Sequence, residues 1–166
     1  MWIVLVLIMM ALIGSIFWLK PSPRDQRLAD LRLQAMKLGL SVKHQTFNPE
    51  SAKNGVRDTL SGTTYSLFVE DTKAPKDIIF RVVRQSGWDN EDLPDEYSWH
   101  DKVSQKYHDW FCELQFEELV NRCNDSLKLI EVCGNRVTIM VSEDPQANAE
   151  QYKVFLDTLL NQIPHE

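Results

Sequence analysis

The sequence predicts an α+β fold: an N-terminal transmembrane helix, then a small domain with a largely antiparallel sheet of four or five strands and helices packed on one face. Three observations predict it. Residues 1–19 are apolar and carry no charge. Segments rich in β-formers recur through 63–84 and 127–142. The final stretch repeats apolar residues at helical spacing. The implied organisation is an anchor over 1–19, a basic amphipathic juxtamembrane helix over 20–39 and an acidic α+β domain over 40–166.

Met1–Leu19 reads MWIVLVLIMMALIGSIFWL. As a helix, nineteen residues rising 1.5 Å each cover roughly 28 Å, close to a bilayer core of about 30 Å. Trp2 and Trp18 sit at its two ends, where aromatic rings favour the membrane interface. Gly14 and Ser15 are small residues tolerated within the run. A cleaved secretory signal needs a positive n-region, a shorter apolar core and small residues before a cut site, and none of these is present. Five Lys/Arg follow the run within eighteen residues and none precedes it, which predicts an outside N-terminus and a cytoplasmic domain.

Pro21 ends the run. Ser22 is placed to cap a second helix with Pro23 at its first position. Leu28, Leu31, Ala35 and Leu38 form an apolar face expected to cover the sheet, and Gly39 supplies the stop. Leu40–Phe47 reads as a strand and Asn48–Gly62 as a loop. Thr63–Glu70 and Asp77–Arg84 read as strands of one antiparallel hairpin around a proline turn. Ser86–Tyr97 is acidic and expected to be an exposed loop. His100–Asn124 looks helical, but its apolar phase switches sides and predicts a break near Glu113–Gln115; the first half could equally be extended. Leu127–Ser142 is the clearest β signal. A turn at Gly134–Asn135 sets Val132 opposite Val137 and Ile130 opposite Ile139. From Asp144–Pro145 a last helix carries Tyr152, Phe155, Leu156, Leu159, Leu160 and Ile163 on one face.

The chain of 166 residues has 18 Lys+Arg against 24 Asp+Glu, a net of −6. That charge is segmented. Residues 20–37 hold five basic and two acidic groups, so +3; the remainder holds thirteen basic and twenty-two acidic, so −9. An acidic domain is a poor nucleic-acid binder, because affinity there comes mainly from neutralising phosphates. Cys112, Cys123 and Cys133 lack CxxC spacing and read as free thiols in a reducing compartment.

No signature of catalysis, cofactor binding or metal binding stands out. The acidic loop with Asp89, Glu91, Asp92, Asp95 and Glu96 lacks the spacing of a calcium loop. His108 and Cys112 are four apart without further zinc ligands at suitable spacing. His100, Asp101 and Asp109 offer acid–base groups, but neither a nucleophile elbow nor a phosphate loop accompanies them.

On the anchor, Pro21-Ser22-Pro23-Arg24, Leu28, Leu31, Ala35 and Gly39-Leu40, the chain resembles uncharacterised single-pass inner-membrane proteins of proteobacteria. Some of these are likened to the small auxiliary subunit of the Sec preprotein translocase. The likeness covers about the first forty residues and implies the bacterial inner membrane. The function expected is that of a non-enzymatic accessory or assembly module of a membrane complex. It would contact the lipid bilayer through residues 1–19, flanked by Trp18, Lys20, Arg24 and Arg27. A membrane-protein partner would bind around Trp88, Asp89, Glu91, Asp92, Asp95, Glu96 and Trp99. The alternative is a membrane-anchored enzyme or ligand-binding domain with its site near His100, His108 and the acidic loop 89–96. A third reading has the anchor itself driving assembly.

Overall fold

A computed structural model describes residues 2–18, 20–49, 59–68, 78–84, 93–94, 96–100, 116–123 and 125–162. In chain order these form α1 (Trp2–Trp18), α2 (Pro23–Lys37), β1 (Ser41–Phe47), β2 (Leu60–Phe68), β3 (Ile78–Arg84), β4 (Tyr97–His100), α3 (Phe116–Cys123), β5 (Leu127–Cys133), β6 (Arg136–Val141) and α4 (Ala149–Gln162). The fold is α+β, with one six-stranded antiparallel sheet in the order β1-β2-β6-β5-β3-β4. The chain divides into two compact units, residues 1–30 and 31–166.

In the first unit, α1 has 17 residues and no charged side chain. Its length is about 26 Å at 1.5 Å per residue. Among the described residues no helix is long and apolar enough to cross a membrane; Met1 and Leu19, which flank α1, lie outside them. Ser15 Oγ donates back to Ala11 O at 3.0 Å and Leu12 O at 2.8 Å, which satisfies its hydroxyl within the helix. α2 opens on the cap anticipated from Ser22-Pro23. Ser22 Oγ accepts from Asp25 N at 3.1 Å, and Ser22 N donates to the Asp25 carboxylate at 3.3 Å, a reciprocal capping box.

The end of α2 follows from one residue. Gly39 has φ +86°, a left-handed conformation that a side chain disfavours. Leu40 N can then bond Ala35 O at 3.0 Å and Gly39 N can bond Met36 O at 3.1 Å, closing a Schellman motif with Leu40 packed beneath it.

One sheet face joins the helices in a single core. Tyr65, Phe80, Val82, Ile130, Val132, Val137, Ile139 and Val141 meet Leu31 and Ala35 of α2, Phe116 and Cys123 of α3, and Tyr152, Phe155, Leu156 and Leu159 of α4. Burying each of the large apolar side chains contributes about 2 kcal/mol. The expected register of the β5–β6 hairpin is present, with Val132 opposite Val137 and Ile130 opposite Ile139.

Four expectations need correction. The sheet has six strands, not four or five. The additional one is β4, in a segment read partly as exposed loop and partly as helix. Its four residues show burial of Tyr97 and Ser98 and half-burial of Trp99 and His100, too short a pattern for periodicity to declare. The segments over 63–70 and 77–84 do not pair with each other: β2 lies between β1 and β6, and β3 between β5 and β4. Both strands took interior positions, β2 with β6 and β3 with β5 as distant partners, which a local hairpin reading overlooks. Finally, α4 starts at Ala149, not at Asp144–Pro145. Asn148 caps it: its backbone carbonyl accepts from Tyr152 N at 3.2 Å and its side-chain oxygen accepts from Glu150 N at 2.9 Å. The expected break before residue 116 and Ile163 lie outside the described residues.

The other sheet face is curled. Phe47 on β1 lies edge-on to His100 on β4, centroids 5.2 Å apart, and beneath the Arg81 guanidinium of β3 at 5.3 Å. Strands β2, β6 and β5 separate Phe47 from Arg81 within the sheet, and β3 as well separates it from His100, so the edges converge over this face. Irregular registers in β3 and β5 add bend. Gly62 permits the close packing required: a Cβ there would sit 2.7 Å from Val141 O and 2.9 Å from Met140 Cγ.

Candidate functional site

The densest polar constellation lies where β6 ends. Glu143 has φ +59°, strained for a residue with a side chain, and is buried. Asp125 holds this turn by accepting Glu143 N and Asp144 N, each at 3.0 Å. The turn aims the Glu143 carboxylate at α2, where Arg32 grips it with Nε at 2.8 Å and a terminal nitrogen at 2.5 Å. Tyr65 OH donates to the same carboxylate at 2.7 Å, and Arg32 reaches Thr63 Oγ1 at 3.2 Å. Burial alone would raise the Glu143 carboxyl; hydrogen bonds from Arg32, Tyr65 and Thr63 outweigh it and hold the group below its ordinary range. Burial, then the hydrogen bond to Glu143, pushes Tyr65 up.

A second cluster adjoins it. Tyr152 OH donates to Asp125, and the Tyr152 ring packs on Tyr65 with centroids 4.6 Å apart. Burial raises the Asp125 carboxyl against the donors that surround it, whereas hydrogen bonding from Ser126 Oγ at 2.6 Å keeps Asp144 low. Chemically, Glu143 is an ionised carboxylate with its lone pairs committed to donors. It fastens α2 to the sheet and is not poised to move a proton.

Beside this cluster a groove of about 620 Å³ runs between the ends of β4, α3 and β5. Tyr97, Phe116, Val120 and Leu127 provide apolar walls, while among the described residues Glu96, Asp125 and Asp144 provide three carboxylates and Arg84 a basic group. Tyr97 is fixed by an edge-on contact with Phe116, centroids 5.1 Å apart, and by its hydroxyl donating to Leu127 O at 3.2 Å.

The residues expected to dock a partner fare differently. Trp88, Asp89, Glu91, Asp92 and Asp95 lie outside the described residues, as does His108. Glu96 is exposed, lines the groove and bonds Arg84 at 2.5 Å. Trp99 is half-buried with its ring edge-on to Phe80, centroids 5.8 Å apart, so it serves packing at this position. His100 lies on β4 opposite Arg81. Of the residues expected to flank a membrane, Lys20 and Arg24 are exposed and Arg27 is half-buried, while the side chain of Trp18 lies outside the description. Among the described residues no group of three His, Cys, Asp or Glu is placed to hold a metal ion. Cys123 and Cys133 are free and buried, and burial pushes the Cys123 thiol up to about 12.

Arg32, Tyr65, Asp125, Glu143 and Tyr152 were not anticipated as a unit. The only sequence signal was an arginine beside the apolar face of α2, and its glutamate partner is 111 positions away. No family model, curated protein or solved structure matches the chain.

Proposed function

We propose that the protein is a membrane-tethered, non-enzymatic accessory or assembly module that binds a partner protein of a membrane complex. Residues 1–19 form a single-pass anchor in the bacterial inner (cytoplasmic) membrane, with the N-terminus outside and the C-terminal domain cytoplasmic. The charge-free α1, its exposed apolar side chains and the one-sided basic flank support this tether, as does the resemblance of the first forty residues to inner-membrane proteins. A reporter active only outside the cytoplasm, fused at the C-terminus, should stay silent; activity would overturn the orientation.

The observation that carries the partner reading is the groove beside Glu96. Apolar walls beside the carboxylates of Glu96, Asp125 and Asp144 complement a segment of partner chain that mixes basic and apolar residues. Native membranes provide the test. A photo-crosslinking residue at Asn121, an exposed position lining the groove, should capture a distinct membrane protein through a Lys/Arg-containing segment. The same residue at exposed Val154 on α4 should not. Glu96→Lys should lower the Asn121 yield. Equal products from both positions, or a yield indifferent to E96K, would refute the groove as the docking surface.

A further inference from the structure

α2 carries apolar side chains on two sides. Leu31 and Ala35 are buried in the core with the sheet. Leu33 and Met36 lie on another side, 48% and 53% exposed. Rolling the helix to bury them would break what holds it. Arg32 grips the Glu143 carboxylate through two nitrogens, at 2.8 and 2.5 Å, and Leu31 and Ala35 would leave the core. The outward side is therefore fixed. Leu33, Met36 and Lys37 stand three and four positions apart, so they share one surface of the helix, and Lys37 is exposed. Single exposed apolar side chains are ordinary. Two large ones within one turn, beside a lysine whose stem can lie on apolar surface while its ammonium stays in water, fit a helix seated in a membrane interface.

We infer that this outward surface of α2 is a second lipid contact, seated in the headgroup region of the anionic leaflet beside the anchor; the inference rests on the tether proposed above. Two observations name lipid as the occupant. α2 starts at Pro23, five positions past the end of α1 at Trp18, so the chain keeps its start within about 18 Å of the end of that helix. Residues 20–37 hold five basic and two acidic groups, a net +3, which complements an anionic leaflet. A contact too weak to recruit a free helix is made here because a short linker keeps the surface at about millimolar effective concentration.

The methionines provide the readout. Met9 and Met10 lie in α1, Met36 on the outward side of α2 and Met140 in β6, where it is 1% exposed. The full chain, deuterated and labelled with ¹³C at its methionine methyls, is placed in nanodiscs of mixed phosphatidylglycerol and phosphatidylcholine. Single Met→Leu variants assign the signals. Nuclear Overhauser transfer from lipid chain protons, which requires direct contact, should reach Met9, Met10 and Met36 but not Met140. Transfer to Met36 should weaken about fivefold or more in phosphatidylcholine alone, the effect of at least one basic side chain at a charged surface. Leu33→Glu, at an exposed position, should abolish transfer to Met36 and spare Met9 and Met10. No transfer to Met36 would overturn the contact, whatever Met9 and Met10 show. Transfer to Met36 alone would uphold the contact and overturn the tether. Equal transfer in the two lipid mixtures, or a folded L33E that keeps its Met36 signal, would also overturn the proposal. Should L33E fail to fold, the two lipid mixtures on the unmodified chain still decide.

Discussion

The two faces of the sheet hold the same kinds of charged side chain in different proportions and surroundings. On the helix-covered face one arginine meets one glutamate. Glu143 is 6% exposed and Arg32 40%, and the pair joins α2 to the turn after β6. On the curled face two arginines share one glutamate. Glu131 is 12% exposed, with Arg81 at 20% and Arg136 at 37%. The first fastens a helix to a turn, and the second ties three strands through one carboxylate. Burial and the elements joined therefore distinguish the two clusters.

The largest effect should come from Arg32→Ala. It leaves the Glu143 carboxylate buried without its cation, and breaking such a pair costs about 3 kcal/mol, the lower end of the range because Arg32 itself reaches water. Urea denaturation of the full chain measures it. Arg32→Lys should recover only part, since one ammonium cannot make two parallel bonds. A loss near zero for R32A would show that the joint does not depend on this pair.

The same pair has a pH signature. The folded-state pKa of Glu143 is depressed below the ordinary glutamate value of 4.5, because hydrogen bonds from Arg32, Tyr65 and Thr63 outweigh burial. Its stabilisation is therefore fully present above about pH 4.5 and lost as pH falls through the lower folded value. Glu143→Gln should destabilise at neutral pH, and its gap from the parent chain should narrow in acid. A gap constant from neutrality to about pH 3 would show that ionisation of Glu143 is not what the fold uses.

Gly62→Ala tests the curl that separates the faces. Its methyl would meet Val141 O at 2.7 Å and Met140 Cγ at 2.9 Å. The methionine can turn, but the carbonyl belongs to a sheet strand. Overpacking of this kind costs about 2 kcal/mol, and the Met140 methyl resonance should move with it. A neutral G62A would mean that β2 and β6 separate easily and that the curl is soft.

These tests bear on the regions least legible in the sequence. Local signals were read well. Ser22-Pro23 and Gly39 bound α2, and the pairing of Val132 with Val137 followed from a two-residue turn. Tyr152, Phe155, Leu156 and Leu159 marked the buried face of α4. Each of these depends on residues within a turn or two of one another. What escaped depends on distant ones. β4 is four residues long beside an acidic run, and its place was settled by pairing with β3. Phe47 and Arg81 meet only because the sheet curls. Of the residues grouped by proximity and aromaticity, Glu96 lines a groove and Trp99 packs edge-on to Phe80, a separation that depends on how β4 pairs and not on sequence spacing.

The smallest expected effect is the one that most sharpens the contrast. Glu131→Gln removes the carboxylate shared by Arg81 and Arg136 and keeps its shape. Two guanidiniums are then left close together, but both retain contact with solvent, at 20% and 37% exposure. Water can solvate them, so the loss should be about 1 kcal/mol, well below that of R32A, which strands a carboxylate at the core. The same denaturation measurement compares them directly. A loss from E131Q as large as that from R32A would mean that the curled face holds its arginines as rigidly as the core holds Glu143. The cluster would then be a second structural joint, holding three strands together as firmly as Glu143 holds α2.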